Sequence, residues 1–209
     1  MKLQIALDRL TYEECFRILA QVGESVDIIE VGTGIIKEYG LGIVRDIKER
    51  YPRKSVLADV KICDAGKSES ETAFDYGADI ITVMSFADMN TIGACVEAAE
   101  ARQKEVVVDL LNNKDPDVFD QLESIGVSSV SAHIGKDQQS GGAGHNPLFQ
   151  ELTTDRHFKV YVAGGINETN LDRYLDLNPA VVIVGSGITK AEDKKGKAGL
   201  IKKSLGKYN

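Results

Sequence analysis

Asp59-Val60-Lys61-Ile62-Cys63-Asp64 sets three ionisable side chains directly after the apolar run Val56-Leu57-Ala58. A buried strand that runs out in charge must deliver it to a polar cavity or to the surface, because unpaired buried charges are costly. An ordinary surface ion pair is the plainer alternative. Four further apolar runs end in side chains able to do chemistry: residues 3–7 in Asp8, 26–29 in Glu30, 106–108 in Asp109 and 127–132 in His133. Gathered in one pocket, so many carboxylates need cations to offset them. Lys61 is one. Mg²⁺ held by the oxygens of Glu30 and Asp59 is the natural second, since it binds through one or two carboxylates and keeps several waters. An N-cap or loop carboxylate is the alternative for either residue alone.

His133 near Asp109 suits proton transfer or the orienting of a water, against the alternative of a merely hydrogen-bonded histidine. His145 and His157 read as surface residues. Ala163-Gly164-Gly165 and Gly185-Ser186-Gly187 each follow an apolar run. Glycines let backbone N–H groups approach an anion, and Ser186 adds a hydroxyl. One such pair would read equally well as a tight turn, whereas two at neighbouring strand ends point to a phosphorylated small molecule.

These side chains need elements to position them, and the chain repeats one pattern: a short apolar, β-branched run, a polar residue, then an amphipathic stretch. Helices are expected over 11–22, with Thr11 as N-cap and Glu14 at capping-box spacing, over 35–50 until Pro52, and from Lys67 onward. Others are expected over 88–102, over 115–125 with Pro116 in first position, and over 147–152, 167–177 and 192–205. Eight near-equal strand–helix units predict an α/β fold, a (β/α)8 TIM barrel, in which the strand ends converge on one face. A doubly wound open sheet competes, but no Gly-x-Gly-x-x-Gly follows the first run.

With 209 residues and 43% hydrophobic composition, one barrel domain over 1–209 is expected. The Gly-dense stretch 140–144 is too short for a linker and reads as a mobile loop. A net charge of −7 and a pI near 5.1 argue against nucleic acid as a partner. The basic run from Lys194 to Lys203 reads as a solvated helix face. Cys15, Cys63 and Cys95, widely spaced and odd in number, fit reduced thiols in the cytoplasm. Neither a signal peptide nor a membrane span is evident.

Asp59-x-Lys61-x-x-Asp64-Ala65-Gly66, together with Asp8, the segment Val26-Asp27-Ile28-Ile29-Glu30-Val31-Gly32-Thr33 and Val162-Ala163-Gly164-Gly165, resembles the orotidine-phosphate-decarboxylase suprafamily. Within it, the similarity is to the branch holding 3-hexulose-6-phosphate synthases and 3-keto-L-gulonate-6-phosphate decarboxylases. The resemblance implies a Mg²⁺-dependent, homodimeric barrel acting on a phosphorylated pentulose or hexulose through an enediolate, with formaldehyde as second substrate in the synthases. It assigns Glu30 and Asp59 to the metal, Lys61 to the enediolate oxygen or a proton relay, and Asp64 to the partner subunit's site. Asp8 would join the same hydrogen-bonded cluster, His133 would be the acid/base, and Gly165, Gly185 and Ser186 would form the phosphate cradle. Asp109 and His133-x-Gly135-x-Asp137 are similar to the synthase pattern. The decarboxylases place Arg where Lys136 and Ser186 stand.

Overall fold

The computed structural model describes residues 1–135, 149, 152, 156–175 and 177–208. Eight strands run in order around a closed barrel: β1 (Lys2–Leu7), β2 (Ile28–Val31), β3 (Ser55–Ile62), β4 (Ile80–Met84), β5 (Glu105–Asp109), β6 (Ser129–His133), β7 (Lys159–Ala163) and β8 (Val181–Val184). Every neighbouring pair is parallel, including β1 with β8, so the expected (β/α)8 barrel is the fold observed.

Alternation along the strands then sorts side chains into two apolar layers. Outward residues such as Leu3, Ile29, Val56, Ile81, Val108 and Val162 pack against the helices in the main core. Inward residues Ile28, Leu57, Ile80, Val107, Tyr161 and Val181 fill the barrel interior as a separate cluster. Beside this inner layer, Glu105 at the start of β5 accepts hydrogen bonds from Ser129 Oγ, Lys159 Nζ and Tyr161 Oη, each at 2.8 Å. The floor of the barrel is therefore packed and hydrogen-bonded. Two residues further along β2 to β5, the inward positions are Glu30, Asp59, Thr82 and Asp109. A greasy layer thus supports a polar one, and the polar layer faces the C-terminal end.

The helices are α1 (Tyr12–Val22), α2 (Thr33–Tyr39), α3 (Gly42–Arg50), α4 (Gly66–Asp75), α5 (Met89–Glu100), α6 (Val118–Ser124), α7 (Asp172–Leu175), α8 (Ser186–Thr189) and α9 (Lys194–Leu205). Thr11 caps α1 in the expected reciprocal box with Glu14. The helix expected over 35–50 is two helices, because Gly40 takes φ +69° and breaks the hydrogen-bond ladder. Pro116 lies in a turn ahead of α6 rather than in its first position, and only 172–175 of the stretch expected over 167–177 is helical. The 140–144 loop, the helix expected over 147–152, His145, Lys136 and Asp137 fall wholly or largely outside the described residues. All three cysteines are free. Among the described residues, no helix is long and apolar enough to cross a membrane.

Candidate active site

The strand carrying the opening motif does not stop at Asp59 but runs on to Ile62. Its pairing with β4 slips: Ala58 opposes Ile81, and Ile62 opposes Val83. Asp59, Val60 and Lys61 thus share a single opposing residue, Thr82, in a wide bulge, and Lys61 sits at φ +50°. The bulge aims both charged side chains into the mouth of the barrel.

There Lys61 Nζ lies 3.1 Å from Asp59 Oδ1 and 2.8 Å from Asp109 Oδ2. Asp109 Oδ2 also meets His133 Nδ1 at 2.9 Å, while its Oδ1 accepts from the Leu111 N–H. Burial disfavours charge on Asp109, but hydrogen bonding and attraction from His133, joined by Lys61, outweigh it and hold its pKa down near 2. Burial likewise opposes the charge on Lys61, and the two carboxylates more than reverse that, raising its pKa. For His133, burial acts downward and Asp109 upward, with a net rise. Lys61, Asp109 and His133 are therefore a connected, charge-matched unit at neutral pH.

Glu30 differs. Burial and the negative charge of Asp59 push its pKa up to about 7, in spite of the hydrogen bond donated by Gln4 Nε2 at 2.6 Å. Two neighbouring carboxylates that remain under-neutralised suit a divalent cation. Asp59 Oδ1 takes bonds from Lys61 and Thr82, while Oδ2 takes one from Thr33 and keeps a lone pair for such an ion. Gln4 is fully buried, and its Oε1 has no hydrogen-bond partner among the described residues, which leaves a hard oxygen beside Glu30. No group of three or more His, Cys, Asp or Glu among the described residues is arranged to hold a metal. A cation would therefore take Glu30 and Asp59 and complete its shell with water or substrate, as Mg²⁺ does.

Two expected members stand apart. Asp8, expected in the same hydrogen-bonded cluster, instead accepts from the Gly34 N–H at 3.2 Å and lies beside Arg9, because it has passed beyond the end of β1 into the loop rim. Asp64 is exposed, and its Oδ1 accepts from the Ala65 N–H at 2.7 Å. The supporting residues Gln4, Thr33 and Thr82 were not singled out in the sequence. The one signal was a polar residue at an inward position of an otherwise apolar strand, visible for Gln4 and Thr82.

After β7, Gly164 and Gly165 adopt φ +123° and +68°. A Cβ on Gly164 would stand 2.7 Å from both Cβ and O of Ile134. Tyr174 Oη donates to Gly164 O, and Asn170 Nδ2 to Gly165 O, at 2.8 and 3.0 Å. After β8, Gly185 leads into the one-turn helix α8, which begins at Ser186. Loops after strands 7 and 8 followed by a short extra helix are the usual phosphate position of such barrels. Gly164→Ala should lower stability by about 1–3 kcal/mol through strain and overlap, checked by thermal unfolding.

The family model for "Orotidine 5'-phosphate decarboxylase / HUMPS family" matches residues 1–201. The chain belongs to this family. Among its relatives, 3-hexulose-6-phosphate synthase of Bacillus subtilis is 38% identical, with the alignment covering 98% of this chain and 99% of that one. The crystal structure of 3-hexulose-6-phosphate synthase from Salmonella typhimurium superposes with a TM-score of 0.94 at 43% identity, covering all of both chains. A ligand complex of KGPDC from Streptococcus mutans gives a TM-score of 0.91 at 27% identity, over 99% of this chain and 97% of that one. Like these family members, the chain is an enzyme, a carbon–carbon lyase.

Proposed function

We propose that the protein is a 3-hexulose-6-phosphate synthase, an aldehyde-lyase that joins formaldehyde to D-ribulose 5-phosphate to give D-arabino-3-hexulose 6-phosphate, reversibly. The observation that carries this reading is the greater identity to synthases, 38% and 43% over nearly the whole chain, against 27% to KGPDC. The Asp109–His133–Lys61 unit supports it chemically.

Mg²⁺ on Glu30 and Asp59 would supply Lewis-acid polarisation of the substrate's C2 carbonyl, which acidifies the C1 proton. With Nδ1 turned to Asp109, His133 has Nε2 left for chemistry and takes the C1 proton. The Lys61 ammonium, already fixed by two carboxylates, stabilises the negative oxygen of the enediolate without having to reorganise. C1 then attacks formaldehyde and a carbon–carbon bond forms. The new alkoxide receives a proton from His133, which returns the site to its starting state. Gly164, Gly165, Gly185 and Ser186 hold the phosphate, a role supported by the relative solved with a phosphosugar bound.

The working form is a cytoplasmic homodimer, in which the exposed Asp64 reaches the partner's site. Purified protein supplied with formaldehyde and D-ribulose 5-phosphate should consume both, and EDTA should stop it until Mg²⁺ is restored. CO₂ release from 3-keto-L-gulonate 6-phosphate in place of formaldehyde consumption would reassign the protein to the decarboxylases.

A further inference from the structure

Thr82 is 6% exposed, sits in the middle of β4 and belongs to no apolar cluster, yet its hydroxyl has two partners in the bulge of β3. It accepts from the Lys61 backbone N–H at 2.9 Å and donates to Asp59 Oδ1 at 2.8 Å. In a regular parallel ladder, each N–H of β3 would find a carbonyl of β4. Here three residues face one, and the Lys61 N–H would be left without its ladder partner in a buried site. The Thr82 hydroxyl takes the place of that carbonyl. Lys61 at φ +50° is in a conformation that non-glycine residues adopt only under constraint, so something must hold it there.

We infer that Thr82 is a positioning residue for the reaction, one hydroxyl that fixes the backbone beneath Lys61 and the carboxylate of Asp59 together. The same hydroxyl sets the direction of the lysine and the rotamer of the acid that shares its charge. This inference rests on the roles proposed above for Lys61 and Asp59. Neither valine nor alanine at position 82 can make either bond, whereas serine can make both.

The test compares Thr82→Val and Thr82→Ser with the parent enzyme in three measurements: formaldehyde condensation, Mn²⁺ affinity by electron paramagnetic resonance, and thermal unfolding. Loss of such a supporting partner costs about 10–100-fold, so Thr82→Val should lose that much in kcat and in Mn²⁺ affinity while KM for the phosphosugar changes little. Thr82→Ser should recover most of both. A folded Thr82→Val with parental kcat, or a Thr82→Ser as impaired as Thr82→Val, would overturn the inference. Should Thr82→Val not fold, amide exchange in the parent protein decides. The Lys61 N–H must be strongly protected, and exchange at the rate of exposed loop amides would overturn the inference. Lys61→Ala separates the two levels: if it is fully active the proposed function fails, and if it is inactive beside a normal Thr82→Val only the positioning role fails.

Discussion

Lys61→Ala is expected to lower kcat/KM by about 10²–10³-fold, the usual cost of removing a preorganised group that faces developing negative charge. Lys61 Nζ is the cation shared by Asp59 and Asp109, at 3.1 and 2.8 Å, and it approaches from a strand held on the barrel wall. Its stabilising field is therefore built before substrate arrives. The effect should fall on kcat more than on KM, because the charge it stabilises exists only after the C1 proton has left. Stability should fall as well. Asp109 is 2% exposed and would keep His133 alone as a charged partner, and breaking a buried pair costs up to about 3–5 kcal/mol. The open mouth of the barrel reduces that figure, since water can enter the space the lysine leaves. Steady-state kinetics and thermal unfolding of the one variant check both parts, and a Lys61→Ala enzyme within tenfold of the parent would refute the first.

Glu30→Gln should have the opposite signature, a more stable but inactive protein. In the metal-free protein the Glu30 pKa is raised from 4.5 to about 7, first by burial and then by Asp59. The folded state therefore binds this proton more tightly than the unfolded chain does. Stability from this group is present below pH 4.5, is lost as pH rises from about 4.5 to about 7, and is absent above. Glutamine is isosteric, carries no charge and can still accept from Gln4. In EDTA, Glu30→Gln should match the parent near pH 4.5 and exceed it above pH 7, by on the order of 2 kcal/mol once partial exposure is allowed for. Added Mg²⁺ should raise the melting temperature of the parent and barely move that of the variant. Parallel melting-temperature curves across this pH range would contradict the assignment.

Much of the fold was legible because the barrel writes itself as a repeat. Apolar runs such as 26–29, 106–108 and 181–184 are too short and too β-branched for helices, and each is followed by a capped amphipathic segment. The capping box of Thr11 and Glu14 is purely local, and it formed as expected. The break between α2 and α3 had a local signal too, in Gly40 and Gly42, but a glycine inside a helical pattern does not by itself say whether the helix will end. The β3 bulge had none. Register is set by what a strand meets across the sheet, so nothing in Asp59-Val60-Lys61 announces that all three will face Thr82.

The site divides along the same line. Glu30, Asp59, Lys61, Asp109 and His133 stood out by charge at the ends of apolar runs, and the structure brings them together. Asp8 carried the same sign but lies one step too far along its strand to join them. Gln4, Thr33 and Thr82 are neutral, and neutral polar residues are so common on strands that only their tertiary partners set them apart.

The chemistry turns on removal of the C1 proton by the His133–Asp109 pair beside Lys61, and solvent exchange reads that step alone. Protein with Mg²⁺ and D-ribulose 5-phosphate in D₂O, without formaldehyde, should place deuterium at C1, with Lys61→Ala showing almost none. Formaldehyde condensation proceeding at full rate while C1 keeps its protium in the recovered pentulose phosphate and loses none to solvent at the active site would contradict it.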